Sequence, residues 1–409
     1  MTMRLDISIW VLLAGLALAW AAPGVAEEIP ENFTAVRPIG MGDAFTAVAN
    51  DENAVWTNPA GVGRVRKARS RAFLNGSKVP NLIIGANAGA HSFYSSFKAN
   101  AKDVAAAAAK VSSSDSKPFW ARMALFPVML FNAGPQTPMA FGVVSNNTIK
   151  AVIDKETPDQ ARIEAISDQG ALLTASWTNQ TNRFNVGVTL RPTARFAYED
   201  RVPSAALTDK TAMAKRFKDD ANKSTGLGID AGVMYTIADF WFPTVGVAVL
   251  NLPTGCHKNY LNPFTEKRTS VCGNVYRGNF GNEDALSTVD PTDFRIGVSI
   301  TPRLGRTLNM RLALDVHQLP IGTDSQSYGL LGIEANKLIH AGVELFAGNP
   351  LVQPAVSLRA GYSQGFPTLG ASFNFGLIDL EFAGYGRDVS STSTPVEDVR
   401  YLASLSMGF

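Results

Sequence analysis

Four histidines (His91, His257, His317, His340) and two cysteines (Cys256, Cys272) are the residues of this chain best suited to metal or nucleophile chemistry. Their spacing does not organise them for it. No histidine falls in a metal-ligand or nucleophile motif, and "GLGIDAG" from Gly226 resembles a phosphate loop only loosely, because Leu227, Ile229 and Ala231 alternate as in a strand. The reading therefore names no catalytic residue, no metal and no cofactor. Cys256 and Cys272 enclose "HKNYLNPFTEKRTSV", a polar, turn-rich stretch. In an exported chain such a pair reads as a disulfide closing a loop, worth about 3 kcal/mol in the chain-entropy account. The alternative, a metal pair with His257, lacks a fourth ligand and a compact spacing.

Export is read from the start of the chain. Arg4, an apolar run from Ile7 to Trp20, and the small residues Gly24 and Ala26 before Glu27 predict a signal peptide over 1–26, cleaved after Ala26. About fourteen apolar residues fall short of the roughly 20 that a spanning helix needs. No later stretch reaches the roughly 18 consecutive apolar residues of a membrane helix, so any crossing must use strands. A formal net charge of +2 argues against a nucleic-acid partner. The 409 residues suit two or three soluble domains or one large barrel.

Alternation decides between these. In "FNVGVTLRPTARFAY", Phe184, Val186, Val188, Leu190, Ala194, Phe196 and Tyr198 share one parity, while Asn185, Thr189, Arg191, Thr193 and Arg195 share the other. Strand side chains point alternately to opposite faces, so one face is apolar and the other polar. Its length exceeds the roughly 9–11 residues that cross hydrocarbon. The segments "DFRIGVSIT", "LNMRLALDVH", "IHAGVELF", "VSLRAGY", "LGASFNF" and "IDLEFAGY" repeat the pattern, with Arg311, Asp315, Glu344, Arg359, Asp379 and Glu381 on polar faces and glycine at many polar-side positions. A soluble sandwich also alternates. Charges of both signs on the polar faces favour a water-filled barrel interior, where they can pair across strands.

Aromatic pairs, Phe119–Trp120 and the "FWF" of Phe240–Phe242, stand where an interface girdle would place them. The last strand, "RYLASLSMGF", ends on Phe409, which resembles the signal by which outer-membrane barrels are recognised for assembly. Two segments break the pattern. Ser96–Val111 is Ala-rich, and Ser204–Lys223 sets Leu207, Met213 and Phe217 at roughly helical spacing; both predict helices at a barrel rim. The cation cluster "RVRKARSR", Arg64 to Arg71, suits a solvated rim or lipid headgroups.

The remaining unit is residues 27–66. Met41, Ala44, Phe45 and Val48 recur as one face of a short helix. Asn58 can close an Asx-turn while Pro59 fixes the backbone, and Gly61 and Gly63 permit close approach. This stretch, "GMGDAFTAVANDENAVWTNPAGV", resembles the N-terminal signature of the FadL-like superfamily of outer-membrane barrels, which includes long-chain fatty-acid and aromatic-hydrocarbon transporters. The C-terminal "LRAGYSQGFPTLGASFNFGLIDLEFAGYGRD" is similar to the PorV and TraF-like branch.

The resemblance implies an all-β transmembrane barrel, of about 14 antiparallel strands over 67–409, in the bacterial outer membrane. Inside it, 27–66 would be a hatch, with Met41, Gly42 and Phe45 in its helix and Trp56, Asn58, Pro59, Ala60 and Gly61 in its gating element. The implied function is passive uptake of small hydrophobic compounds such as fatty acids. The alternative is an interaction protein serving secretion or conjugative transfer. Implied partners are outer-membrane lipid, a hydrophobic ligand, the barrel-assembly machinery and, under the alternative, secretion or conjugation components.

Overall fold

The computed structural model describes residues 28–31, 33–65, 77–90, 118–153, 159–262, 264–265, 267–279, 288–323, 325–348, 354–389 and 396–408. The signal peptide, the Ser96–Val111 segment, most of the "RVRKARSR" cluster and Phe409 lie outside these residues.

The wall is built from β1 (Lys78–Asn87), β2 (Phe119–Leu125, resumed at Val128–Gly134), β3 (Thr137–Ile153), β4 (Gln160–Thr178), β5 (Phe184–Pro203), β6 (Asn222–Thr236) and β7 (Thr244–Leu250). It continues with β8 (Asp293–Ile300), β9 (Leu308–Val316), β10 (Ile339–Ala347), β11 (Val356–Ser363), β12 (Phe366–Asn374), β13 (Ile378–Asp388) and β14 (Glu397–Gly408). Each strand pairs antiparallel with the next, and β14 returns to β1 from Lys78↔Gly408 to Asn87↔Arg400. The result is a closed barrel of 14 strands. Closure leaves no ladder edge exposed, which an apolar bilayer requires.

Alternation sets the faces as the sequence predicts. On β5, Val188, Leu190 and Phe196 are exposed on the outside, while Thr189, Arg191 and Arg195 are buried within. β2 departs from a single strand. It breaks at Phe126–Pro127, where proline supplies no ladder donor; the Phe126 amide donates to the Asn81 carbonyl at 2.8 Å, and the Phe126 side chain turns inward and is fully buried. Trp120, expected in a girdle, faces the lumen instead, with the Arg400 guanidinium 4.6 Å from its ring. The even parity of β2 carries it inward with Arg122 and Ala124.

One end of the barrel has short turns and the other long connections. The long end carries a small sheet of Gly255–Leu261, Arg268–Val275, Val289–Pro291, Gly322–Thr323 and Gln326–Ser327. In it Cys256 lies opposite Cys272, and the two form the expected disulfide.

Residues 28–65 fold inside the barrel as α1 (Val36–Gly40), α2 (Ala54–Thr57) and a 3-10 helix, Pro59–Arg64. The helix expected to hold Met41, Gly42 and Phe45 is not there. Gly42 and Asp43 adopt φ of +67° and +60°, and a helix cannot pass through two left-handed residues. Residues 41–48 are instead a chain of turns, whose apolar side chains Met41, Ala44, Phe45 and Val48 are all buried against the wall.

Outside, the second insert gives α3 (Lys210–Asp220), capped by Asp209, whose carboxylate accepts the Thr211 and Ala212 amides at 3.0 Å. Met213 and Phe217 pack on the outward-facing Ile163, Tyr198 and Val202. The helix thus lies against the outer wall near the long-loop end.

Candidate functional site

The candidate site is the plugged lumen. Asn58 organises its central turn: Oδ1 accepts the Ala60 amide at 3.2 Å, Nδ2 donates to the Thr46 carbonyl at 2.9 Å, and Pro59 opens the 3-10 helix. Ala60 is buried, and Gly61 lies against Ala49 and Ala54, where a Cβ would meet both at 2.6–2.9 Å.

Wall glycines let the plug backbone approach. A Cβ on Gly187 would overlap Pro59, one on Gly246 the Thr46 carbonyl, one on Gly342 the Met41 carbonyl, and one on Gly361 the Gly42 amide. These glycines sit at inward positions of β5, β7, β10 and β11. In the sequence these glycines stand on polar faces, but nothing local shows their purpose, since the contact partner lies far away in the chain.

Ionic clusters hold the seat. Glu344, fully buried, accepts from Arg37 Nη2 at 2.9 Å, from Arg359 Nε at 2.9 Å and from Arg311. Arg37 belongs to the plug and reaches its own Asp51 at 2.5 Å. Elsewhere the wall's Lys78 meets the plug's Glu52 at 3.0 Å, with Asp379 at 3.4 Å and Glu381 at 3.9 Å. Burial pushes the Glu52 carboxyl up to about 7; Lys78 offsets this only in part, and Asp51 and Glu381 add to it.

The third cluster joins the turn Gly42–Asp43 to the wall. His317 Nδ1 is 3.4 Å from Asp43 and Nε2 is 3.3 Å from Asp315, which also accepts the Thr46 amide at 2.7 Å. His340 Nδ1 bonds the Gly42 carbonyl at 2.8 Å, and the two imidazoles stack at 4.0 Å. Burial and Arg295 push the His317 imidazole down, yet hydrogen bonds to Asp315 and Asp43 and the attraction of Asp43 leave it above its ordinary value. Burial would likewise raise Asp43, but Arg295, at 3.6 Å, and His317 hold its carboxyl well below the carboxylate range. Asp43, His317 and His340 bring ligand-type atoms within 4.8 Å of one another. Arg295 already pairs with Asp43, and the group ties the plug's Gly42, Asp43 and Thr46 to the wall's His340, His317 and Asp315.

The remaining predicted lumen residues also face inward. Arg191 pairs with Asp230 at 2.6 Å and lies 5.1 Å from the Trp56 ring. Arg195 pairs with Asp168 at 2.7 Å and with Asp290, from the small sheet, at 2.8 Å.

Beside these stands an aromatic cluster. Phe33 stacks on Trp56 at 4.4 Å, and both meet Phe126, at 5.5 and 5.4 Å, where β2 is broken. Arg122 lies over Phe33 at 4.8 Å; its Nη1 donates to the Thr34 carbonyl at 2.6 Å and its Nε to Asn146 at 2.8 Å, while Nη2 makes no hydrogen bond among the described residues. A small pocket of about 40 Å³ reaches Phe33 and Trp56 from the long-loop side. Below the plug a vestibule of about 330 Å³ opens among Asn50, Arg64, Arg183 and Asp239. Phe33, Arg37, Phe126 and Arg122 carry no local motif that would mark them in the sequence.

No protein-family model matches the sequence, and no curated protein matches it. Solved structures do. A mutant of the monoaromatic hydrocarbon channel TodX superposes with a TM-score of 0.55 at 11% identity, covering 92% of this chain and 99% of that one. The toluene transporter TodX of Pseudomonas putida matches with a TM-score of 0.51 at 10% identity, covering 94% of this chain and 100% of that one. At such identities the likeness concerns the fold. The chain shares with these channels a closed, antiparallel 14-strand β-barrel fold.

Proposed function

We propose that this barrel is a passive outer-membrane channel for small hydrophobic compounds, with residues 28–65 as its gate. The carrying observation is the aromatic cluster of Phe33, Trp56 and Phe126, which joins the plug to the break in β2. An apolar solute arriving from the long-loop end can reach Phe33 and Trp56 through the small pocket that opens on that side. Retreat of the plug's Phe33 and Trp56 would free the inner side of Phe126–Pro127, and passage there delivers the solute into hydrocarbon without a polar vestibule to cross. The solved structures of similar fold are hydrocarbon channels by name, which supports this class of cargo.

The lumen arginines Arg191, Arg195, Arg311 and Arg359 are already engaged by wall carboxylates, so they are poor receptors for an acidic head. Arg122 is the better one for a fatty acid: it is buried beside Phe33, pairs with no carboxylate among the described residues, and its Nη2 has no hydrogen-bond partner among them. The rival reading, a barrel that docks secretion or conjugation components, draws no support from the comparisons.

Proteoliposomes test the proposal. Uptake of labelled toluene should exceed that of empty liposomes, rise on deletion of residues 28–65 and fall when Trp56 and Phe126 become serine. Uptake indifferent to all three changes defeats the proposal. A labelled fatty acid, if carried, should lose about tenfold in affinity with Arg122→Leu while toluene does not.

A further inference from the structure

The outer wall carries a feature that the channel does not use. Along β4, Trp177 is exposed and meets exposed Phe184 of β5 at the short-turn end, as an interface girdle does. Ten residues further up the same face stands Ser167. That is about 33 Å along the strand and, at a tilt of roughly 40°, about 25 Å of height, the thickness of the apolar band of such barrels. There the outward face turns polar: Ser167 Oγ donates to Asn147 Oδ1 at 2.7 Å, Gln169 to Ser167 at 3.0 Å, and Asn147 to Ser145 at 3.2 Å. The quartet marks the upper membrane interface.

At this level an open groove of about 760 Å³ runs between α3 and the wall. Its sides are apolar, from Met123, Ile149, Phe196 and Phe217, and Lys218 and Lys223 stand at its edge. No acidic residue lines it, and neither lysine pairs with a carboxylate among the described residues. A greasy slot opening to the hydrocarbon, with two ammonium groups at headgroup height, is complementary to one class of molecule.

We propose that this groove binds a phosphorylated outer-leaflet lipid, an acyl chain lying along Met123, Phe196 and Phe217 and a phosphate between Lys218 and Lys223. The bound lipid would clasp α3 to the wall. Two lysines near the membrane surface favour an anionic headgroup by up to roughly thirtyfold, so a preference of about tenfold is well within their reach.

The test is native mass spectrometry of the full-length barrel in detergent, titrated with bis-phosphorylated lipid A and with the same lipid dephosphorylated. The phosphorylated form should be retained about tenfold more strongly. Lys218→Ala with Lys223→Ala should abolish that preference, and Ala214→Trp, which fills the groove, should weaken both lipids alike. All three changes are on exposed positions, so heat-modifiable migration on gels should confirm unchanged folding. Equal retention of both lipids, a preference that survives loss of the lysines, or displacement by inorganic phosphate at millimolar concentration overturns the proposal. None of these readouts depends on solute uptake, so failure of the channel reading and failure of this one are separable.

Discussion

The two faces of β5 follow the same alternation and yet obey different rules. Outside, Val188, Leu190 and Phe196 are exposed to lipid, a solvent as apolar as themselves, so their exact identity matters little. Inside, Thr189 bonds Thr174 at 2.8 Å, Arg191 is fixed by Asp230 and Asn251, and Gly187 makes room for Pro59. Each of these inward residues has particular partners and a geometry to meet. The outer face is therefore specified as a class, the inner face residue by residue.

The sharpest way to expose that difference is Glu344→Ala. It leaves Arg37, Arg311 and Arg359 buried together with Asp51 as the nearest remaining acid among the described contacts, and an uncompensated buried charge costs about 3–5 kcal/mol. The expected result is a lower unfolding temperature by heat-modifiable migration and raised ion conductance in planar bilayers, as the plug loses Arg37's anchor. Conductance equal to that of the parent would show that the plug needs no such anchor.

Next in size is Gly361→Val, whose side chain meets the Gly42 amide and the Met41 carbonyl carbon, backbone that cannot give way easily. Overpacking of this kind costs about 1–3 kcal/mol. Plug amides should exchange hydrogen faster by a matching factor while the outer strands keep their protection.

A pH series sharpens the comparison, because the inner face titrates and the outer does not. Glu52 and His317 both bind a proton more tightly with the plug seated. The Glu52 contribution to seating is present below its ordinary 4.5 and lost as pH rises to about 7. That of His317 is complete below its ordinary 6.5 and lost as pH climbs through its raised value. Relative to a Glu52→Gln, His317→Asn double variant, plug exchange or conductance of the parent should thus grow severalfold from pH 5 to pH 9. A rise toward acid instead would contradict the assigned signs.

The smallest effect is expected outside. Leu190→Ala should change stability by less than about 1 kcal/mol, whereas Leu190→Arg, near the middle of the band, should cost about 2–4 kcal/mol. Guanidinium unfolding in lipid vesicles measures both, and a large loss for the alanine would mean that the outer face is read individually after all.

Much of this was legible in the chain. The polar positions Arg191, Arg195, Arg311, Asp315, Glu344, Arg359, Asp379 and Glu381 share one parity on their strands and are all buried, and the Asn-Pro turn closes as its residue types suggest. The helix assigned to Met41–Val48 failed because its periodicity reflects burial on several sides, which turns can satisfy as well as a helix. Trp120 failed because an aromatic near a strand end says nothing about which face its register selects. The aromatic junction was out of reach, since Phe33 and Phe126 lie 93 positions apart.

The amino-acid order by itself determined which side of each strand would be wet, because side-chain direction is a property of two adjacent residues and is written locally. It also set the turn at Asn58–Pro59, where the Asn58 Oδ1 accepts the Ala60 amide two residues on. Only the tertiary structure decided what the wet side holds: that Arg37 meets Glu344 across 307 positions, and that Gly187 faces Pro59. Those contacts depend on where closure of the barrel places distant segments, and no local spacing encodes a distance that the closed sheet alone creates.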